Sequence, residues 1–420
     1  MPTAGGFVRK IRVVALGVSA AVVFSAAQAS AQFPAPPDPG AWVGTWGASA
    51  AGPVPGTDNG HPNFSIRNVV HTSVGGRSAR VTLSNAFGNS PLVIGHSSVA
   101  VAARAGTADA KPGTVKELTF GKRATVTIPV GAEVQSDSVD LAIPADSDLL
   151  VTTYVPTPSG PVTYHPAASQ TSFFTRNGDH ALDTAGTAYN ETTAVWHYVT
   201  GVDVRASGAR GSVVTLGDSI TDGVGSTGST NRRWPDYLAD RTKNLGIVNS
   251  GISANRLLLG GPGGAGRNAL ARFNDDVLTK TSVRTLIVLE GINDIQQDPH
   301  QTDPAQITAA YEQLVTRAHA HGIKVLGGTL TPFKGWRVYD ETLEATRLAV
   351  NKFIRTSGVF DGVVDFDAAI RDPQDPLKMR AQFDSGDHLH PGDAGYRAMA
   401  EAVVVGGGLK RARQGAGGGG

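Results

Sequence analysis

Two rhythms of apolar and polar residues divide this chain. Between residues 42 and 206 they alternate with a period of two, as in Ser78-Ala79-Arg80-Val81-Thr82-Leu83-Ser84-Asn85 and Ala124-Thr125-Val126-Thr127-Ile128-Pro129-Val130. Denser β-like runs occur at 149–155 and 197–204, and Gly, Pro, Asn and Asp break the pattern at short intervals. Many short strands with frequent turns predict an all-β domain, a sandwich or jelly-roll-like fold. After Arg205-Ala206-Ser207-Gly208-Ala209-Arg210-Gly211 the rhythm changes. Apolar runs at 212–217, 246–249, 284–290, 323–330 and 362–366 alternate with helix-length stretches near 232–244, 267–280, 304–321, 339–356 and 391–404. Five β–α repeats predict an α/β domain at 211–405. Its parallel sheet should carry helices on both faces, joined by right-handed crossovers.

The ends follow neither rhythm. Arg9, Lys10 and Arg12 precede an apolar or small-residue run at 13–27, and Ala27-Gln28-Ala29 and Ala29-Ser30-Ala31 each fit a small-residue cleavage site. Residues 1–31 therefore read as an export signal, cleaved near Ala29 or Ala31, and the protein is expected outside the cell. The run is shorter than the ~20 residues a membrane span requires, so no stable membrane anchoring is expected. Residues 32–41 form a Pro-rich linker. The Gly-rich tail at 406–420, with Lys410, Arg411 and Arg413, is expected to be disordered.

Composition removes several classes of function. The net charge of +1 over 420 residues argues against nucleic acid as a partner. Cysteine is absent, which excludes disulfides, a thiol nucleophile and thiolate metal sites. Charged residues make up 17%, below the average of about 25%, and 40% are hydrophobic, enough for real cores.

Candidate chemistry gathers at the carboxyl ends of the expected parallel strands, where open α/β sheets bind ligands. The first strand ends in Gly217-Asp218-Ser219, the second in Asn249-Ser250-Gly251-Ile252 and the third in Glu290-Gly291-Ile292-Asn293-Asp294. The segment before the last helix reads Asp387-His388-Leu389-His390-Pro391. Ser219 is the candidate nucleophile, and a serine hydroxyl needs an adjacent base. His390 is the candidate base, with Asp387 three residues earlier to hold its tautomer and stabilise the imidazolium. Gly251 through its N–H, Asn293 through its amide and the Ser219 N–H are candidate oxyanion donors. Each has a plainer reading: a helix cap for the Gly-Asp-Ser and for Asp387, turn residues for Gly251 and Asn293. His388 and His390 are also spaced as a pair of metal ligands, but no further His, Asp or Glu cluster completes such a site. Pro391 is expected at the first position of the last helix.

Together, Gly217-Asp218-Ser219-Ile220-Thr221-Asp222-Gly223, Gly251, Gly291-Ile292-Asn293-Asp294 and Asp387-His388-Leu389-His390-Pro391 resemble the four ordered blocks of the SGNH (GDSL) hydrolases. The resemblance covers roughly residues 211–405. It implies a flavodoxin-like three-layer α/β/α fold around a five-stranded parallel sheet, with no cofactor and no metal. It implies Ser219 as nucleophile and oxyanion donor, Gly251 and Asn293 as further oxyanion donors, His390 as base and Asp387 as its orienting carboxylate. The implied activity is ester hydrolysis, on acetylated sugars, lipids or aryl esters. The G-x-S-x-G elbow of α/β-hydrolases is absent, because position 221 is Thr. The stretches 231–238, 249–257 and 288–294 are also similar to a subgroup of secreted bacterial GDSL esterases related to arylesterase or acylhydrolase modules of polysaccharide degradation. The expected partner is thus a small-molecule or polysaccharide ester. A lipid acylhydrolase or lysophospholipase, or a non-catalytic glycan-binding protein, are the alternatives. In the β domain, Trp42, Trp46, Trp196, Tyr164 and Tyr198 are either core or a sugar platform, and His165 and Gln170 lie in a polar stretch that could reach the cleft rim.

Overall fold

The computed structural model describes residues 40–261 and 264–405. The expected export signal, nearly all of the linker and the tail lie outside the described residues. From residue 212 the parallel half follows the predicted rhythm. Strands Ser212–Gly217, Gly246–Gly251, Val283–Leu289, Lys324–Gly328 and Gly362–Val364 form one five-stranded parallel sheet. In chain order its strands lie 2-1-3-4-5, the flavodoxin-like arrangement. The first strand is buried along its whole length, as expected of a parallel strand covered on both faces.

The long helices are built as their sequences suggest. Pro304–His319 begins with proline at a favoured position, behind Asp303, whose Oδ1 accepts the Ala305 N–H at 2.9 Å. It buries Ile307, Ala310, Tyr311, Leu314, Val315 and Ala318 on one face. Glu341–Thr356 is capped by Asp340, which accepts from Thr342 and Leu343 at 2.7 and 2.8 Å. Other boundaries differ from expectation. The stretch near 232–244 is helical only over Trp234–Arg241, and that near 267–280 divides into Ala269–Phe273 and a π-helical turn at Asn274–Leu278. The last helix is Asp393–Ala402, with Gly392 as its N-cap. Pro391 therefore does not open the helix; it bridges Asp384 in a short antiparallel pairing.

Residues 42–205 are mostly antiparallel β. One sheet runs Trp42–Gly47, Val199–Arg205, Gly76–Ser84, Val139–Ile143, with Glu133–Gln135 also on Gly76–Ser84. A second centres on Phe64–Thr72, Ser147–Val155 and His96–Val101. Val43, Val81 and Val202 of the first pack with Ile66, Val99 and Val151 of the second in one apolar core. The dense run at 197–204 is broken at Tyr198, whose φ of 62° interrupts the strand.

The β half packs directly on the parallel sheet. The Gly44 N–H donates to Ser212 Oγ at 2.9 Å, and the Ile247 N–H to Ser73 Oγ at 2.9 Å. The approach is closest at Gly246, where a Cβ would lie 1.9 Å from the Gly44 carbonyl oxygen. This contact covers the parallel strand Gly246–Gly251, an otherwise free sheet edge. Among the described residues, no helix is long and apolar enough to cross a membrane.

Candidate active site

Ser219 is the first residue of a four-residue helix, Ser219–Asp222, that leaves the first parallel strand without a loop. The cap and the hydroxyl that meets His390 are on different residues. Asp218 takes the cap, its Oδ1 accepting the Ile220 N–H at 2.9 Å. The Ser219 hydroxyl is left to His390, with Oγ 2.8 Å from Nε2. The other ring nitrogen, Nδ1, lies 2.6 Å from Asp387 Oδ2. Asp387 Oδ1 accepts the N–H groups of His390 and Leu389 at 2.8 and 2.9 Å. Burial works to raise the Asp387 carboxyl, but these hydrogen bonds hold it below its ordinary value, so it stays an anion facing the imidazole. His388 turns away with φ of 69° and places Nδ1 2.6 Å from Asp384 Oδ2. Among the described residues no group of three or more His, Asp or Glu could hold a metal ion.

Gly251 ends the second strand, directly beside Gly217 in the register. A Cβ there would lie 2.4 Å from the Asp222 backbone nitrogen, so the Ser219–Asp222 helix leaves room only for glycine. Its N–H is bonded to Asn249 Oδ1 at 2.9 Å. Asn293 follows the third strand in the short helix Ile292–Gln296 and is buried. Its Nδ2 donates to the Asn255 carbonyl at 2.8 Å, and its Oδ1 accepts from Gln296 Nε2 at 2.6 Å. The Ser219 N–H, at the first helical position, has no acceptor within the helix.

Beneath this edge lies a charge cluster that sequence reading missed. Arg272 is buried and donates to the Gly217 and Ser250 carbonyls at 3.0 and 2.7 Å, to Asn255 Oδ1 at 2.9 Å and to Asp276 Oδ2 at 2.8 Å. It ties the ends of the first two strands together. Its Nη2 is 3.6 Å from Glu290 Oε2, and neither Glu290 carboxyl oxygen nor Asp218 Oδ2 has a hydrogen-bond partner. Burial pushes Asp218 up to about 7, and burial together with the nearby Asp218 pushes Glu290 well above the carboxylate range. Both acids thus hold protons the exposed groups would release. Arg272 and Glu290 were visible in the sequence only as one charge in a helical stretch and one beside Gly291; nothing in spacing links them.

The β half reaches the same helix. His165 is buried, with Nε2 2.9 Å from Asp222 Oδ1 and Nδ1 2.9 Å from the Ser49 carbonyl. Asp222 Oδ2 also accepts from Ser253 N and Oγ at 2.8 and 2.6 Å. His165 therefore sits behind the Ser219–Asp222 helix instead of at the cleft rim, and Gln170 is likewise buried. Trp46, Trp196 and Tyr198 belong to the β core, Tyr164 is buried too, and Trp42 is half-buried under the Arg80 guanidinium; this geometry opposes the sugar-platform reading.

A flavodoxin-type sheet whose carboxyl edge carries a hydrogen-bonded serine, histidine and aspartate defines the class of this half. Residues 215–398 match the GDSL-like lipase/acylhydrolase family. No curated protein matches the chain. Among solved structures, it is similar to a lipolytic protein of the G-D-S-L family from Desulfitobacterium hafniense, at 21% identity over 46% of this chain and 96% of that one, with a TM-score of 0.36. A carbohydrate acetylesterase from Sinorhizobium meliloti is similar at 19% identity over 46% and 95%, with a TM-score of 0.36. An aryl esterase from M. smegmatis is similar at 19% identity over 46% and 95%, with a TM-score of 0.38.

Proposed function

We propose that the protein is an exported serine esterase that cleaves short-chain acyl esters, acetyl esters of carbohydrates above all. The observation that carries this is the chain Ser219 Oγ to His390 Nε2 at 2.8 Å and His390 Nδ1 to Asp387 Oδ2 at 2.6 Å. Ser219 Oγ attacks the ester carbonyl carbon while its proton passes to His390 Nε2. Asp387 holds Nδ1–H and stabilises the imidazolium. The carbonyl electrons move onto oxygen, where the Ser219 N–H, the Asn293 amide and the Gly251 N–H donate. For Gly251 this requires its N–H to divide between Asn249 Oδ1 and the substrate oxygen. The carbon–oxygen bond to the alcohol then breaks, and His390 gives its proton to the departing oxygen. Water, deprotonated by His390, attacks the acyl-serine by the same route and releases the acid. Arg272 holds the ends of the first two strands, which lead to Ser219 and Gly251.

The carbohydrate reading rests on the subgroup similarity of residues 231–238, 249–257 and 288–294, and export rests on residues 1–31. Replacing Ser219 by Ala is expected to lower turnover of p-nitrophenyl acetate by at least about 10³-fold, and full turnover by that variant would overturn the reading. Activity on acetylated xylan against lysophospholipid, measured side by side, separates a carbohydrate esterase from a lipid acylhydrolase. Secretion of the chain with a new N-terminus near residue 30 or 32, read by mass spectrometry, tests export.

A further inference from the structure

We propose that Trp336 forms the wall of the leaving-alcohol subsite, and that its indole N–H, through Gln296, fixes the orientation of the Asn293 amide. This rests on the esterase reading above. His390 must deliver its proton to the departing oxygen, so the alcohol half of the ester has to lie against His390. The ring beside His390 is Trp336, with centroids 6.2 Å apart and planes at 84°. Trp336 lies in the segment following the fourth parallel strand, on the same carboxyl edge as Ser219, and is half-buried, so part of its ring remains open. Its loop is held by turn hydrogen bonds from the Trp336 N–H to the Phe333 carbonyl and from the Tyr339 N–H to the Trp336 carbonyl, both at 2.9 Å. The edge-to-face pair of Phe333 and Tyr339 braces it. The exposed Arg337 guanidinium lies 5.0 Å from the indole centroid and adds donors at the rim.

The indole N–H is not available to a ligand. It donates to Gln296 Oε1 at 2.9 Å. What Trp336 offers outward is therefore its carbon framework, which suits the C–H face of a sugar ring. The same hydrogen bond sets a polarity. Indole nitrogen can only donate, so Gln296 must present its oxygen to Trp336 and its NH₂ to Asn293. Gln296 Nε2 donates to Asn293 Oδ1 at 2.6 Å. Asn293 must then turn its NH₂ the other way, where one hydrogen meets the Asn255 carbonyl at 2.8 Å. A donor-only group at one end and an acceptor-only carbonyl at the other leave the chain one consistent arrangement, with the second Asn293 hydrogen left for the oxyanion. Trp336 is thus a specificity residue through its ring, and Gln296 is a positioning residue.

These two roles separate kinetically, because the alcohol has left before deacylation begins while the oxyanion is needed in both steps. The test compares acetyl-xylose with ethyl acetate, and measures deacylation of the acetyl-enzyme by single turnover. Trp336→Leu is expected to lower the ratio of kcat/KM for acetyl-xylose to that for ethyl acetate by about three- to tenfold. Trp336→Phe keeps a ring and should leave that ratio within twofold, while slowing deacylation. Gln296→Ala should leave the ratio unchanged and slow deacylation by about tenfold or more. An unchanged ratio in Trp336→Leu overturns the subsite, and wild-type deacylation in Gln296→Ala overturns the orienting role. Thermal melts of the three variants check folding, and Trp336→Met, with the same expected fall in the ratio, replaces Trp336→Leu if that variant does not fold. Failure of the wild-type protein to form an acetyl-enzyme on Ser219 would instead refute the esterase reading.

Discussion

His165 offers the sharpest test of how the β half is joined to the Ser219–Asp222 helix. Both of its ring nitrogens face acceptors, the Ser49 carbonyl and the Asp222 carboxylate, each at 2.9 Å. Two acceptors require two N–H donors, so the buried ring is an imidazolium paired with Asp222. Burial works against the charge, but Asp222 and the Ser49 carbonyl raise the His165 pKa above its ordinary value. In His165→Ala, Asp222 Oδ2 keeps its two bonds from Ser253, while Oδ1 is left buried beside an empty site. Breaking one member out of a buried pair costs about 3–5 kcal/mol. If both halves unfold as one unit of roughly 360 residues, at about 2.1 cal/mol/K per residue, the melting temperature falls by roughly 4–7 °C. If the β half unfolds by itself, the fall is roughly twice as large. The sign with pH follows from the raised pKa. The folded state keeps a proton that the unfolded chain releases above about pH 6.5. The stabilisation is therefore complete below that pH and is lost as pH rises through the raised value. Scanning calorimetry of both proteins at pH 6 and pH 9 should show a larger gap at pH 6. A fall under about 1 °C at pH 6, or the same gap at both values, refutes the imidazolium argument.

Glu290 gives the complementary pH effect. Burial raises it, so the folded state holds its proton above the ordinary carboxylate range and stability declines as pH rises toward the raised value. Glu290→Gln stays neutral throughout, so its urea midpoint should fall less between pH 5 and pH 8 than that of the wild type, and equal slopes would contradict a protonated Glu290. At the seam between the halves, Gly246→Ala places a Cβ where the Gly44 carbonyl oxygen lies 1.9 Å away, against backbone that cannot rotate aside. It should cost about 1–3 kcal/mol in chemical denaturation, and an unchanged midpoint would show that the two strands separate freely.

The parallel half was legible in the sequence because its strands are continuous apolar runs separated by long amphipathic helices. Both signals are local, and Ser212–Gly217 and Pro304–His319 appear almost where they were expected. Three of the four polar blocks were legible for the same reason, since each follows a strand and parallel strands end on one edge, while the fourth, at 387–391, stands before the last helix. The short helices Ser219–Asp222 and Ile292–Gln296 were not, because four or five residues carry no period to read. Nor was the cap settled by sequence, as Asp218 and Ser219 both suit it. Only the fold assigns the cap to Asp218 and gives the hydroxyl to His390, a partner 171 positions away.

The sequence by itself determined the element types in the parallel half and which polar residues stand at strand ends, since short-range periodicity and punctuation encode these. Tertiary structure decided everything that depends on two distant segments meeting. It set the 2-1-3-4-5 order, placed Arg272 beneath two strand ends, brought His165 behind Asp222 and laid Trp336 beside His390. Those contacts are made by side chains whose spacing along the chain carries no regular signal, and tertiary packing alone makes them neighbours.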